Sequence, residues 1–447
     1  MKKMAKIIAV AVALTILLSG CSFIEQEYLE NIGDSIYEFL DSIDIGSGRA
    51  VEISESSSSQ PPPQDTHESS SQIPPQSSSQ AEKANAPQEQ NKFWNYGAGG
   101  RYFKPISPYD YYGRNQLPIE HREIYEDLVL AINSLSPEVE INGNISTEVA
   151  KKILNIVLQD YPQIFWLSEK YSIYSDENGY ATGLKLNYKL SQSERDSKLQ
   201  QLEQKSAQII SQIPQNATDY EKSLFLHDYI IKNAYYDHTL NLPNSYNLYG
   251  VLLEGVGVCQ GYTKAYQYLL YQVGIEALYV KGESRGSPHG WNVVRLDGQY
   301  YHTDITWDDP VSQETDNKAY TYFNITDSEI LKDHTISTKD TYILPQCFSN
   351  KNNYYEAEGL LFNSLNKDEV DRLAQLIAKS VESGDPKITI KLQGFDTLYP
   401  IFIEDDKLFD AIKLAKKRYN AKNIIADSVT ISTERKLEIV SFTVKLK

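Results

Sequence analysis

Residues 255–262, Gly255-Val256-Gly257-Val258-Cys259-Gln260-Gly261-Tyr262, set the reading of this chain. From Tyr262 onward, apolar or aromatic residues recur at Tyr266, Leu269, Leu270 and Val273. That is one stripe of a helix, closed by Gly274, a residue suited to the left-handed C′ position. Cys259 then falls at or just before the first turn, where unpaired N–H groups and the helix dipole favour an anion such as a thiolate. The flanking glycines are expected to let a substrate backbone come close. On placement alone, a buried Cys acting as a small hydrophobe fits as well.

Further on comes His289-Gly290-Trp291-Asn292-Val293-Val294-Arg295-Leu296, then Asp297-Gly298, then Gln299-Tyr300-Tyr301-His302-Thr303-Asp304-Ile305-Thr306-Trp307. Asp-Gly between β-rich runs predicts a two-residue hairpin turn. If residues 297–298 form the loop, 296 faces 299 and paired numbers sum to 595. His289 then lies opposite Thr306, and Asp304 opposite Trp291. His289 and Asp304 become diagonal neighbours on one face, within reach of long side chains. A carboxylate there fixes the imidazole tautomer while the other ring nitrogen meets a thiol, the arrangement nucleophile–base catalysis requires. His302 shares this face as a rival base, but it sits nearer the turn and is read as structural. The His227-Asp228 pair, inside a helix expected from Asp219 to Asn233, is also read as structural because adjacent helical side chains diverge by about 100°.

These three blocks resemble the core of the transglutaminase-like superfamily: Gly257-Val258-Cys259-Gln260-Gly261-Tyr262, His289-Gly290-Trp291-Asn292 and Asp304-Ile305-Thr306-Trp307-Asp308-Asp309-Pro310. The likeness is greatest to bacterial members similar to kyphoscoliosis-type peptidases. It spans residues 219–310, more loosely back to 119. The resemblance implies an α+β fold with a transglutaminase-like (papain-like) core, the Cys on a helix N-terminus packed on an antiparallel sheet. It implies Cys259 as nucleophile, His289 as general base and acid, and Asp304 as orienting carboxylate. Gly290 departs from the Ala often found in the family. The implied chemistry is thiol acyl transfer on amides: hydrolysis by a cysteine peptidase or amidase if water accepts, crosslinking if a Lys amine does. A non-catalytic binding or assembly module with an idle catalytic triad is the alternative. The Cys259 backbone N–H is a candidate oxyanion donor.

The rest of the chain frames that core. With 43 Lys+Arg against 60 Asp+Glu, the net charge of −17 argues against a nucleic-acid partner. Three Cys in 447 residues exclude a disulfide scaffold and a clustered-Cys zinc site, and no cofactor or metal is expected. At the N-terminus, Lys2, Lys3 and Lys6 precede an apolar run over 7–18 and then Leu18-Ser19-Gly20-Cys21. This reads as a bacterial lipoprotein signal peptide over 1–20, with Cys21 lipidated. The protein is accordingly expected outside the cytoplasm, held on the cell membrane by acyl chains and acting on protein, peptide or cell-wall peptide.

Residues 21–92 carry an acidic helical stretch over 23–43 and then a Ser/Gln/Pro-rich linker over 51–90. Such a composition cannot bury a core. As a flexible coil the linker reaches on the order of 35 Å. Residues 93–218 are read as an accessory region. It opens with an aromatic stretch over 93–112 expected to dock on a core, followed by helices over 119–134 and, from the Ser146 cap, 147–160. Strands are expected over 164–173 and 181–190, then a helix opened by Ser193-Glu194-Arg195-Asp196 and ending near 213. Residues 219–350 form the expected catalytic core. Residues 351–447 read as a small α/β domain, with a helix capped at Asn366, a strand over 387–392, a helix over 407–419 and strands over 424–432 and 437–446. Cys347 is the one possible disulfide partner for Cys259 in an oxidising compartment. The run Asp308-Asp309 with Glu314 and Asp316 lacks the ligand spacing of a calcium loop and is expected to be solvated.

Overall fold

The computed structural model describes residues 111–309 and 319–447. The signal peptide, Cys21, the linker, most of the aromatic stretch, Glu314 and Asp316 lie outside the described residues. The chain enters through α1 (Tyr112–Gln116), α2 (Ile119–Ser134), β1 (Glu138–Glu140) and α3 (Thr147–Asp160). Ser146 caps α3 by accepting from the Val149 N–H, and its buried face is the stripe Ala150, Ile153, Leu154 and Val157. Asp160, fully buried at the end of α3, accepts from the Gly113 and Arg114 N–H groups and from the Tyr125 hydroxyl, at 2.8–3.1 Å. A side chain at Gly113 would strike that carboxyl at 2.8 Å, so glycine lets α1 seat there.

Strands β2 (Leu167–Ser175) and β3 (Ala181–Tyr188) pair antiparallel around residues 176–179, giving a sheet of order β1-β3-β2. Helices α4 (Gln192–Ile210) and α5 (Asp219–Asn233) follow. Both begin with a capping box, and in both the cap precedes the residue expected from sequence. Ser191 pairs with Glu194, and Thr218 pairs with Glu221. Ser193 and Asp219 instead lie inside their helices.

The central unit begins where β4 (Tyr235–Tyr236) pairs in parallel with β5 (Val256–Gly257). Helix α6 (Cys259–Gln272) leads into β6 (Ala277–Ser284), β7 (Ser287–Leu296), β8 (Gln299–Thr303) and the one-turn α7 (Ile305–Asp308). After α8 (Asp327–Ile330), strand β9 (His334–Ile336) completes a four-stranded antiparallel sheet of order β8-β7-β6-β9. Helix α6 is buried on nearly every face. The Gln267 side chain donates to the Gln159 and Ala277 carbonyls, at 2.7 and 3.0 Å, joining α6 to α3 and β6.

After α9 (Tyr354–Ala357), a second hydrophobic cluster gathers under the sheet β10-β11-β13-β12. Its strands are β10 (Leu361–Phe362), β11 (Lys387–Leu392), β12 (Ile424–Glu434) and β13 (Ile439–Leu446). Its helices are α10 (Lys367–Ser383), capped by Asn366, α11 (Phe395–Ile403) and α12 (Lys407–Arg418). Helix α11 has no counterpart in the sequence reading; it carries Pro400 inside its span, which breaks the expected pattern. Leu437 and Ile439 join the larger core, and Lys391 forms a buried ion pair with Glu329 of α8. Among the described residues, no helix is long and apolar enough to cross a membrane.

Candidate active site

Helix α6 presents Cys259 as its first residue. The N-cap is Val258, whose side chain offers no hydrogen bond, so nothing on the cap competes for the helix's leading N–H groups. The helix is fastened to the strand that carries His289. The Thr263 hydroxyl lies 2.7 Å from the Cys259 carbonyl and 2.8 Å from the Gly290 carbonyl, and the Asn292 amide donates to the Thr263 carbonyl at 3.2 Å. Cys259 and its neighbouring base are thereby set by one helix–strand contact rather than by mobile loops.

The hairpin forms with the expected register: Leu296 pairs with Gln299, and the ladder runs to Asn292 opposite Thr303. Asp297 and Gly298 both take positive φ, as a two-residue hairpin turn requires. The ladder then stops, which corrects the expectation that Asp304 lies opposite Trp291. Oδ1 of Asp304 accepts from the Thr306 and Trp307 N–H groups at 3.0 and 3.2 Å, and this cap starts α7 in place of another strand residue. Oδ2 instead meets His289 Nε2 at 2.6 Å. The Cys259 sulfur lies near enough to the imidazole to favour its protonated form. Cys259, His289 and Asp304 are therefore gathered around one imidazole.

The electrostatics follow from this contact. Burial opposes charge on His289, but the Asp304 carboxylate and the Cys259 sulfur outweigh it, and the imidazole is pushed up to about 10. Burial likewise disfavours charge on Asp304, yet His289 and then His334 hold its carboxyl down at about 2. The ring of His289 lies between Trp291 (6.0 Å, stacked) and Trp307 (6.2 Å).

The remaining expected residues fall elsewhere. His302, fully buried, accepts from Trp291 Nε1 at 3.0 Å through Nδ1 and meets Asp327 at 2.9 Å through Nε2. Trp291 separates it from His289. His227 touches Asp228 after all, at 3.2 Å, while its other nitrogen meets Asp308 at 3.2 Å. Its ring packs on Tyr320 and Phe323. Asp308 is thus fully buried rather than solvated, and it also accepts from the Tyr322 N–H at 2.9 Å; Asp309 accepts from the Tyr262 hydroxyl at 2.6 Å. Cys347 is a free, buried thiol, as Cys259 is a free, partly exposed one.

The glycines around Cys259 serve packing. A Cβ at Gly261 would lie 2.4 Å from the Ser245 carbonyl, and one at Gly257 2.4 Å from Val251. At Gly290, a Cβ would lie 2.7 Å from the Tyr279 hydroxyl. This accounts for glycine where the resemblance leads one to expect Ala. Gly290→Ala is expected to cost about 1–3 kcal/mol by overpacking, and Tyr279→Phe, by removing the hydroxyl, should recover part of it. A double-mutant cycle by denaturant unfolding checks this, and purely additive effects would exclude the contact.

Sequence reasoning missed His334. Its Nε2 meets Oδ2 of Asp304 at 3.1 Å and its Nδ1 meets Asp333 at 2.7 Å. Among the described residues, two groups bring three ligand-type atoms within 4.8 Å: His289, Asp304 and His334, and His302, Asp327 and Cys347. In the second, the Trp291 N–H claims the Nδ1 lone pair of His302, so Nε2 carries the proton and has no lone pair to give a metal. In the first, both carboxylate contacts are made by ring N–H groups.

Residues 207–305 match the family described as the Transglutaminase-like superfamily, a span that contains Cys259, His289 and Asp304. The chain thus carries a transglutaminase-like domain in an α+β fold. Among solved structures it is similar to one described as a TGase, with 13% identity and a TM-score of 0.24, covering 38% of this chain and 50% of that one. It is also similar to a provisionally assigned cysteine protease from Cytophaga hutchinsonii, with 15% identity and a TM-score of 0.21, covering 31% of this chain and 61% of that one. The chain therefore spans half to three-fifths of the length of these structures. No curated protein matches it significantly.

Proposed function

We propose that this protein is a surface-anchored bacterial lipoprotein whose Cys259, His289 and Asp304 catalyse thiol acyl transfer, with peptide or protein amides hydrolysed at the cell envelope. The observation that carries the reading is the placement of His289, bonded to Asp304 through Nε2 at 2.6 Å and close enough to the Cys259 sulfur to be influenced by it. The lipidated, extracytoplasmic location rests on the sequence Leu18-Ser19-Gly20-Cys21 and the linker behind it.

In this mechanism the Cys259 thiolate attacks the amide carbonyl, and the developing oxyanion meets the leading N–H groups of α6. His289, as imidazolium, gives its proton to the departing amine, leaving a thioester on Cys259. His289, now neutral, takes a proton from water as the water attacks the thioester. Carboxylic acid is released and the thiolate–imidazolium pair returns.

Iodoacetamide labelling followed by intact mass tests the pair. Wild-type Cys259 should label rapidly below neutral pH, and His289→Ala should slow it markedly. Ordinary thiol behaviour unaffected by His289→Ala, or a disulfide to Cys347, would favour an idle triad. Because His289 holds its proton until about pH 10, the alkaline limb of kcat/KM on any amide substrate should fall near that value, where the acid for the leaving amine is lost.

A further inference from the structure

Asp304 serves two imidazoles through one oxygen: Oδ2 meets His289 Nε2 at 2.6 Å and His334 Nε2 at 3.1 Å. The other nitrogen of His334 lies 2.7 Å from Oδ1 of Asp333. Both nitrogens of His334 therefore face carboxylate oxygens. An ionised carboxylate only accepts, so both nitrogens must donate, and a ring with two N–H groups is an imidazolium.

The surroundings keep it so. His334 is 2% exposed, with its ring against Trp291 (5.0 Å), Tyr322 (5.5 Å) and His289 (5.5 Å). Tyr322 donates its hydroxyl to the second oxygen of Asp333 at 2.6 Å, which keeps that carboxylate aimed at His334. Arg285, across the β6–β7 turn, adds positive charge near Asp333 and Tyr322, with its guanidinium lying over Trp307. His302, behind Trp291, and Asp308, which acts on Asp304, are further titratable groups nearby. Burial disfavours the charge on His334, and hydrogen bonds to Asp304 and Asp333 restore it.

We propose that His334 is a positioning residue for the Cys259–His289–Asp304 site: a buried imidazolium that holds Oδ2 of Asp304 toward His289 and, as a like charge, limits how tightly His289 keeps its proton. This rests on the thiol acyl-transfer reading. A His289 that never released its proton would be a poor acid for the leaving amine, and a second cation on the same carboxylate opposes that outcome. His334 does not touch Cys259 in this role; it acts through Asp304.

The test uses the whole protein labelled with ¹⁵N-histidine. The ring whose signals vanish in His334→Gln should show both nitrogens protonated from about pH 7 to 9, as the His289 ring also should, where ordinary histidines have lost their second proton. That variant keeps a donor to Asp304 but removes the charge. Asp333→Asn leaves the ring in place with a single carboxylate, so His334 should lose its second proton at a lower pH, weakening the like charge by a different route. Both variants should raise the titration midpoint of His289, read from its own ring signals, by about one pH unit. Asp333→Asn keeps the test decisive should His334→Gln fail to fold.

A neutral His334 in the wild type overturns the proposal. So does a loss of thermal stability in both variants with the His289 midpoint unmoved, which is what a purely structural residue would give. A wild-type Cys259 whose alkylation ignores His289→Ala would instead bring down the acyl-transfer reading. It would take the positioning role with it while leaving the imidazolium signal intact, so the two failures are distinguishable.

Discussion

Exchanging Asp304 for Asn is expected to lower turnover by about 10³–10⁴-fold while leaving the fold in place. Asn retains an oxygen for the Thr306 and Trp307 N–H groups, so the cap of α7 survives. What changes is Oδ2, which becomes an amide donor facing two ring nitrogens that are themselves donors. His289 must then turn Nε2 into an acceptor and carry its proton on the side facing Cys259, where it can no longer take one. Without the carboxylate, the main influence raising the imidazole is also gone, so the alkaline limb near pH 10 should move toward neutrality. Steady-state kinetics across pH, with a thermal melt to confirm folding, checks both points. Turnover within about tenfold of wild type would remove Asp304 from the mechanism.

Gly282→Ala should produce the largest loss of stability among single methyl additions near the site. Gly282 sits between two strands, paired with His289 on β7 and with Ile336 on β9. An added Cβ would lie 1.9 Å from the Thr335 carbonyl and 2.7–2.8 Å from the Trp291 indole. A ladder backbone and a fully buried indole have nowhere to move, so the cost should reach the upper end for overpacking, about 3 kcal/mol. If β9 is pushed outward, His334 leaves Asp304, and activity should fall beyond what the lost stability explains. Gly286→Ala is the control: it has open space around it and a φ of +82°, so only backbone strain of about 1 kcal/mol is expected. Equal denaturant midpoints for the two variants would refute the clash.

The parts of the site legible in sequence were those governed by local rules. The Asp297-Gly298 turn fixed the register of β7 and β8, and the 3.6-residue stripe after Tyr262 placed Cys259 on the first turn of α6. Extending the ladder to Asp304 failed because an aspartate beside two free N–H groups starts a helix more readily than it continues a strand. The same competition moved the caps of α4 and α5 to Ser191 and Thr218. Asp308 looked solvated because acidic doublets usually are; its burial depends on His227, which reaches it from a helix far away in sequence. His334 was invisible for a related reason. It stands on a three-residue edge strand with no periodicity, and the Asp-His dipeptide before it gives no hint that Asp304 is the second partner.

The pairing of Lys391 with Glu329 bears on which changes this chain could accept singly. Lys391 is buried and Glu329 partly so, and Glu329 belongs to the same short helix whose Asp327 secures His302 and the Cys347 N–H. Whereas a truncation before β11 would uncover the glutamate to water, losing the Lys391 charge alone, with β11 still covering the pair, would strand it at a penalty of about 3–5 kcal/mol. That is a large share of the 5–15 kcal/mol that holds a typical domain together. A neutral residue at Lys391 would therefore need a second change at Glu329, to Gln for example. The C-terminal region is thus tied to the unit that carries Cys259 by a charge pair neither side can lose alone, and by Leu437 and Ile439 in the larger core.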